Sequence, residues 1–353
     1  MTLEPSETKT HRIGSINTLR FIAAMFVLFY HITFVFYYAK TTHIDMPFFR
    51  GLFQYGYLGV ELFFIISGFV ISMSAENRNA YGFFKSRLGR LYPIFWVSVI
   101  ITSLFILFGG NIINANITWT RFIANMTMIP QIMSQTYIDP SYWTLVVEIK
   151  FYFFILLLLL FKQFKRIESL SIGVSILITI GIFFFDLPMM WPSYFLAGII
   201  FYKIYKHGLN NWRIFGLCNT FFISIYFALA RIPNHEANFI GTDFKPTVIV
   251  LYVLLFYIIF LMISLDKFKI HNNKYINILG IITFPLYLLH QQISRILFTY
   301  SNINSIPLYT SITFTILFIL IISFFIHRIF EKHGKIMIDK VLDKVTPRFI
   351  KDL

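Results

Sequence analysis

The stretch INTLRFIAAMFVLFYHITFVFYY, residues 16–38, decides the fold class. Among its 23 residues, only Arg20 and His31 carry a charge at or near neutral pH. An α-helix rises about 1.5 Å per residue, so this stretch can cross a hydrocarbon core about 30 Å thick. Apolar residues occur on every side of the helix rather than at alternate positions, which argues against a strand of a membrane barrel. The stretch therefore predicts a transmembrane α-helix.

Runs of the same kind recur along the 353-residue chain. Hydrophobic residues make up 57% of the chain and charged residues 13%, against about 45–50% and about 25% in soluble proteins. This composition excludes a soluble domain and a disordered chain, and the single Cys excludes a disulfide scaffold. We predict an all-α, polytopic membrane helical bundle of about ten transmembrane helices. The predicted spans lie near residues 16–38, 57–75, 92–109, 144–163, 169–185, 188–204, 213–230, 247–265, 277–298 and 308–328.

The distribution of Lys and Arg predicts the orientation of the bundle. If the N-terminus is cytoplasmic, 22 of these residues fall on inner segments and 5 on outer ones. Both termini are therefore expected in the cytoplasm, with residues 1–15 as an N-terminal segment, 16–328 as the membrane domain and 329–353 as a basic tail. The bias accounts for the net charge of +14, so we expect membrane lipids as partners and no nucleic acid.

Ionisable side chains inside a membrane span cost about 2.5–3.5 kcal/mol each, so they usually face an interior cavity or pathway. Eleven residues separate Arg20 from His31, which is close to three helical turns and about 16 Å along the axis. The two side chains therefore share one face of the first helix. A structural alternative remains open, with His31 hydrogen-bonded to a neighbouring helix and Arg20 as an interface anchor. The ionisable residues in the predicted spans include Arg20, His31, Glu61, Glu148, Lys150, His290 and Arg295.

Five stretches, in the same order along the chain, resemble the acyltransferase-3 family of integral membrane O-acyltransferases. They are INTLRFIAAMFVLFYH (16–31), YLGVELFFIISGFVIS (57–72), FFKSRLGRLYPIFW (83–96), YWTLVVEIKFYF (142–153) and FPLYLLHQ (284–291). The resemblance implies an O-acetyltransferase that moves an acyl group, usually acetyl from acetyl-CoA, to a hydroxyl of an envelope glycan such as lipopolysaccharide or another polysaccharide. It also implies a bacterial inner membrane location.

The resemblance assigns roles to individual residues. His31 matches the essential histidine of the family and Arg20 the arginine paired with it. Arg87 and Arg90 match an R-x-x-R motif. Trp143 and Glu148 match the ends of a Trp-to-Glu motif, although Ile149 stands where a second acid is common, so a role that needs two adjacent acids is not expected. The resemblance thus implies catalytic roles for His31, Arg20 and Glu148, and binding of the acyl donor by Arg87 and Arg90.

The chemistry of acyl transfer supports these roles independently. Attack on a thioester needs a base for the acceptor hydroxyl, and an imidazole suits that role near neutral pH. CoA carries several phosphate charges, which Arg87 and Arg90, three residues apart on a helix, can bind through forked donors. The alternative is that these two arginines only set the orientation of the chain in the membrane. We therefore expect acyl-CoA as the donor on the cytoplasmic side. No metal-binding motif is present in the sequence, so we expect no metal.

The acceptor is expected to bind at the outer side of the membrane. Trp143 is a candidate for stacking on a sugar, and Glu148 for bonding sugar hydroxyls or orienting the base, with an aromatic interface belt and a helix N-terminal carboxylate as the alternative. Glu61 and His290 are further substrate-binding candidates, with snorkelling and a structural hydrogen bond as their alternatives. The acceptor is a carbohydrate or glycolipid. A multi-pass transporter of a sugar, lipid or drug without catalysis is the competing hypothesis.

Overall fold

The computed structural model describes residues 5–41, 46–185 and 191–347, with side chains from residue 14 onwards. The described residues form α-helices, short 3₁₀ helices and two π-helical turns, Tyr30–Val35 and His327–Glu331, and they contain no β-strand. The α-helices are α1 (Pro5–Phe29), α2 (Phe36–Tyr38), α3 (Pro47–Phe53), α4 (Gly59–Ala75), α5 (Ala80–Gly109), α6 (Trp119–Met126), α7 (Trp143–Leu160), α8 (Ile167–Phe184), α9 (Pro192–His207), α10 (Asn211–Ala230), α11 (Ile232–Asn238), α12 (Pro246–Ser264), α13 (Lys274–Ile303), α14 (Leu308–Ile326) and α15 (Lys332–Val345).

The prediction of an all-α, polytopic membrane bundle is confirmed. Within the described residues, nine helical stretches are long and apolar enough to cross a membrane. The remaining predicted span, residues 188–204, corresponds to α9, which has 16 residues and is about 24 Å long. The first three residues of that predicted span lie outside the described residues. The orientation of the bundle stays a prediction.

The chain forms two compact units. The first contains Met1–Ala23, Leu58–Ala80 and Lys150–Asn277, and its centre is α9. Every residue of α9 from Ser193 to Ile204 is buried. This explains why α9 is apolar on all sides although it is short: it packs against protein along most of its length.

Two glycines allow α9 to cross α4 at very short range. A Cβ atom at Gly68 would lie 2.2 Å from the carbonyl oxygen of Phe195, and one at Gly198 would lie 2.3 Å from that of Ile65. No side chain larger than a hydrogen fits at either position, so the two backbones touch. Small residues at such crossings are typical of membrane helix packing.

The second unit contains Ala24–Tyr57, Tyr81–Ile149 and Ile278–Leu353. Its longest helices, α5 and α13, each have 30 residues and an internal proline. The predicted basic tail is helical as far as Val345, and α15 packs against the N-terminal half of α5. Lys85 Nζ donates to Asp343 at 2.7 Å, and Gly334 lies against Pro93 where a Cβ atom would clash.

Residues 114–142 run back along α5, and we call them the fold-back segment. The indole Nε1 of Trp96 donates to the carbonyl of Met126 at 2.9 Å, and the hydroxyl of Tyr92 donates to that of Thr127 at 3.3 Å. Trp96 lies 13 residues before the end of α5 at Gly109, which is about 20 Å along the helix. The predicted spans 92–109 and 144–163 leave this stretch as a connection beyond the end of a helix. Instead it lies beside the middle of α5.

Internal hydrogen bonds hold the fold-back segment in this shape. The Arg121 guanidinium donates to the carbonyl oxygens of Asn116 at 2.6 Å and Tyr137 at 2.5 Å. The side-chain oxygen of the buried Asn125 accepts from the Ile138 backbone N–H at 2.9 Å. Both side chains satisfy backbone groups that a buried loop would otherwise leave without partners. As a result, the segment ends deep in its unit, where α7 begins.

Candidate functional site

The second unit brings together two histidines that the sequence analysis had selected separately. His31 lies in the π-helical turn Tyr30–Val35, and His290 lies on α13. Their ring centroids are 5.1 Å apart, and His290 is 1% exposed. Single π-helical turns within α-helices are frequent at functional sites. The fold therefore places a pair of imidazoles in the interior of the unit.

The hydrogen bond of His290 fixes its protonation pattern. His290 Nδ1 lies 2.6 Å from the carbonyl oxygen of Tyr287. Because a carbonyl oxygen only accepts, Nδ1 carries the proton of the neutral ring, and Nε2 holds a lone pair. That Nε2 atom is buried and has no hydrogen-bond partner among the described residues. It is an available acceptor for a proton or a hydroxyl group.

His31 has an unsatisfied ring nitrogen of its own. Its Nδ1 atom is buried and finds no hydrogen-bond partner in the described part of the chain. Ser294 lies one turn beyond His290 on the same helix face, and its Oγ atom is also buried without a hydrogen-bond partner among the described residues. A buried polar atom without a partner costs about 1–3 kcal/mol. The clustering of such atoms on the two helices that carry the histidines is typical of a site that receives a polar ligand.

The fold-back segment also reaches this region, through Asp139. Its carboxylate accepts from the backbone N–H and the hydroxyl of Ser141, at 2.8 Å and 2.6 Å, and from the backbone N–H of Gln292 at 2.9 Å. Gln292 is two residues from His290 on α13. Asp139 could not be selected from the sequence, because this residue lies in a polar stretch that resembles an exposed loop. Only contacts that are distant in sequence show that Asp139 is buried.

The predicted arginine motif lies on α5, one turn apart, as expected. Arg87 is 6% exposed, and its guanidinium carbon lies 5.5 Å from the centre of the Phe83 ring. Arg90 is half-buried. The side chain of Arg87 is therefore largely shielded from water, whereas an arginine that only orients the chain in the membrane would normally be exposed.

Comparison with known proteins identifies the family. The acyltransferase-3 model, described as an acyltransferase domain, matches residues 13–328. The chain belongs to this family. It is 24% identical over 296 residues, 80% of this chain and 83% of the relative, to a protein of the Acidianus two-tailed virus named "Putative acetyltransferase ORF330". It is 30% identical over 193 residues, 47% of this chain and 50% of the relative, to nodulation protein 10 of Rhizobium leguminosarum bv. viciae. No solved structure gives a significant match.

The chain is therefore a multi-pass membrane acyltransferase, and the prediction of an enzyme is confirmed. Family membership disfavours the alternative of a transporter without catalysis. Within the described residues of this acyltransferase, no three His, Cys, Asp or Glu side chains lie close enough together to hold a metal ion.

Trp143 and Glu148 lie in the same unit as the histidine pair. Trp143 begins α7 and directly follows Tyr142, whose ring centroid is 5.1 Å from that of Phe95 in the middle of α5. Both Trp143 and Glu148 are half-buried. The sequence analysis expected Glu148 near the outer end of a span. The contact between Tyr142 and Phe95 places the start of α7 beside the middle of α5, and the position of Glu148 relative to the membrane stays a prediction.

Arg20 and Glu61 belong to the other unit of the acyltransferase. The boundary falls within α1 after Ala23, and Arg20 is half-buried. Glu61 has no exposed surface and forms a buried ion pair with Arg231, whose guanidinium carbon lies 4.4 Å from the centre of the Trp191 ring. The snorkelling alternative for Glu61 is therefore wrong, and one of its carboxylate oxygens is already bound by the protein. Lys150, also selected from the sequence, is exposed.

Proposed function

We propose that this acyltransferase moves an acyl group, most simply acetyl, from acyl-CoA at the cytoplasmic face to a hydroxyl of a carbohydrate or glycolipid at the opposite face. The bacterial inner membrane, where acyl-CoA and exported glycans meet, is the location that this reaction requires. The observation that carries the proposal is the pair His31 and His290, 5.1 Å apart, with buried ring nitrogens that have no partner among the described residues.

In the proposed reaction, His31 is the general base. It takes the proton of the acceptor hydroxyl while the acceptor oxygen attacks the thioester carbonyl. The carbon–sulfur bond then breaks, and the thiolate of CoA leaves and receives the proton from the imidazolium. The result is an ester on the acceptor and free CoA. His290, with its lone pair on Nε2, accepts a hydrogen bond from a neighbouring hydroxyl of the acceptor or from a ring N–H of His31, and so orients the acceptor or the base.

The other predicted residues have supporting roles in the proposed reaction. Arg87 and Arg90 bind the phosphates of CoA through charge-assisted hydrogen bonds, and the burial of Arg87 supports this role because burial strengthens such bonds. Trp143 stacks on the sugar, and Glu148 bonds its hydroxyls. The role proposed for Arg20 is the one that the family resemblance assigns to it, as the arginine paired with His31. The positions of Trp143 and Glu148, directly after the fold-back segment, support an acceptor that enters along this segment.

Mass spectrometry of cell-surface glycans tests the proposal. Cells that express the protein should carry an acetyl increment on one glycan, which cells without the gene lack. His31→Ala and His31→Gln should remove the increment at normal protein levels, since general base catalysis contributes roughly 10²–10⁴-fold. His333→Gln, at an exposed histidine of α15, is the matched control and should retain it. Glycans that are identical in all five strains would contradict the proposed function.

A further inference from the structure

Asp139 links the fold-back segment to the helix that carries His290. The carboxylate is completely buried, and each of its oxygens is used. Oδ1 accepts from the backbone N–H and the hydroxyl of Ser141, whereas Oδ2 accepts from the backbone N–H of Gln292 at 2.9 Å. Only this last bond leaves the fold-back segment. It ties a residue at position 139 to the turn of α13 that contains His290.

Ser141 adds a second contact with the same turn. Its hydroxyl lies 3.4 Å from the carbonyl oxygen of Tyr287, the oxygen that also accepts from His290 Nδ1 at 2.6 Å. Asp139 and Ser141 therefore contact α13 on both sides of His290, at the residues three before it and two after it. The single hydroxyl proton of Ser141 goes to Asp139 Oδ1, so Ser141 contacts the Tyr287 carbonyl without a strong hydrogen bond, and the bond of Asp139 to Gln292 is the main link to α13.

This turn of α13 needs support from outside the helix. Pro285 lies inside α13 and has no N–H, so the carbonyl of Ile281 loses its usual intrahelical donor. A proline in a helix interior weakens the helix there, one to two turns before His290. Hydrogen bonds from a neighbouring segment restore the rigidity that the helix lacks, and a base needs that rigidity to stay in reach of its proton.

We propose that Asp139 is the positioning residue for His290: it fixes the backbone from Tyr287 to Gln292, so that His290 keeps its proton on Nδ1 and presents Nε2 to the site. Asp139 itself does not contact the substrate. The fold-back segment is thereby part of the catalytic machinery rather than a connection between helices. The effect on catalysis rests on the proposed function, whereas the effect on α13 does not.

Asp139→Asn is the informative substitution because it preserves shape and removes one acceptor. The amide keeps one oxygen for Ser141, but its NH₂ group then faces the N–H of Gln292, donor against donor. Turning the amide round moves the same conflict to Ser141. Trp96→Phe is the matched control. It removes a hydrogen bond of similar length that ties the same segment to α5, through Met126, and leaves α13 untouched.

Hydrogen–deuterium exchange of the full-length protein in lipid nanodiscs tests the structural step without any substrate. Asp139→Asn should increase exchange of the peptide that contains residues 286–294 by about tenfold, with the largest change at the Gln292 amide. Trp96→Phe should leave this peptide as in the wild type. Unchanged exchange in Asp139→Asn, or an equal increase in Trp96→Phe, would overturn the proposal, and neither result depends on acyl transfer.

A double-mutant cycle tests the catalytic step, with labelled acetyl-CoA and native membrane vesicles as the assay. Asp139→Asn should lower kcat about tenfold and change the KM for acetyl-CoA less than twofold. In a His290→Gln background, the same substitution should cost less than twofold more, because its partner is already gone. A second full tenfold loss in the double variant, or wild-type activity in His290→Gln, would overturn the positioning role. Absence of acyl transfer by the wild-type protein would instead count against the proposed function.

Discussion

At the scale of single residues, the sequence was most informative where a side chain is chemically unusual for a membrane span. His31 and His290 stand out among apolar neighbours, and both could be selected without a structure. Their proximity, with ring centroids 5.1 Å apart, could not, because it depends on contacts between α13 and the π-helical turn after α1. The same holds for Glu61. Its charge was visible in the sequence, but its partner Arg231 lies 170 residues away.

The buried pair of Glu61 and Arg231 leads to a prediction about stability. Breaking a buried ion pair by removing one charge leaves the other charge buried and unpaired, which costs about 3–5 kcal/mol. Glu61→Gln should therefore lower the Tm of the purified protein strongly. Asp266→Asn, which breaks the partly exposed pair with Lys269, should change stability by less than about 1 kcal/mol. Equal shifts in Tm for the two variants would show that the Glu61 pair contributes no more than a surface pair.

At the scale of elements, most helices could be predicted because long apolar runs leave little choice of structure. The predicted span 57–75 matches α4, Gly59–Ala75, within two residues. The span 92–109 captured only the second half of α5, since the first half carries Lys85, Arg87 and Arg90 and is not apolar enough to suggest a span. The fold-back segment could not be predicted at all. Its polar residues resemble those of an exposed loop, and hydrogen bonds from Tyr92 and Trp96 determine where it lies.

The arginines of α5 give a prediction about the acyl donor. Arg87→Ala and Arg90→Ala should each raise the KM for acetyl-CoA by roughly tenfold or more, because a charge-assisted hydrogen bond contributes about 1.5–3 kcal/mol. Arg78→Ala, at an exposed arginine three residues after the end of α4, is the control and should leave this KM unchanged. Steady-state kinetics at fixed acceptor provide the measurement. If all three variants share the wild-type KM, the two arginines of the motif do not bind the donor and only set the orientation of the chain in the membrane.

The end of α4 gives a prediction about pH. Glu76 accepts hydrogen bonds from Lys206 and Tyr202 on α9. Burial raises the pKa of Glu76, but these bonds and the charges of Lys206 and Lys203 outweigh it, so the pKa is lowered overall from its usual 4.5. A lowered carboxyl pKa stabilises the folded state above the unfolded-state value and loses that contribution as pH falls through the folded-state value.

Glu76→Gln should therefore reduce the Tm at pH 7, and the difference from the wild type should shrink as the pH falls below 4.5 towards the folded-state pKa. Thermal unfolding followed between pH 7 and pH 3 measures this difference. A gap between the two proteins that stays constant with pH would mean that the side chain contributes through packing and not through its charge.

At the scale of the whole molecule, the proposed function depends on separating the acyl donor and the acceptor on the two sides of the membrane. The charge bias of the inner segments predicts that the arginines of α5 face the cytoplasm, where acyl-CoA is made. The histidine pair lies within the second unit, and the fold-back segment reaches it from the other end of α5. Such an arrangement suits a reaction in which the acyl group crosses the membrane while CoA stays on one side. Composition could predict the fold class, and the orientation stays a prediction from charge, whereas the path to the histidines depends on the three-dimensional fold.

The most direct measurement uses inside-out membrane vesicles from cells that express the protein. Radiolabelled acetyl-CoA is supplied to the cytoplasmic face, and the label is counted in the extracted glycan and glycolipid fraction. The wild-type protein and His333→Gln should transfer the label to this fraction, whereas His31→Gln, at equal protein levels, should transfer at least a hundredfold less. Equal labelling by His31→Gln and the wild type would contradict a catalytic role for the histidine pair.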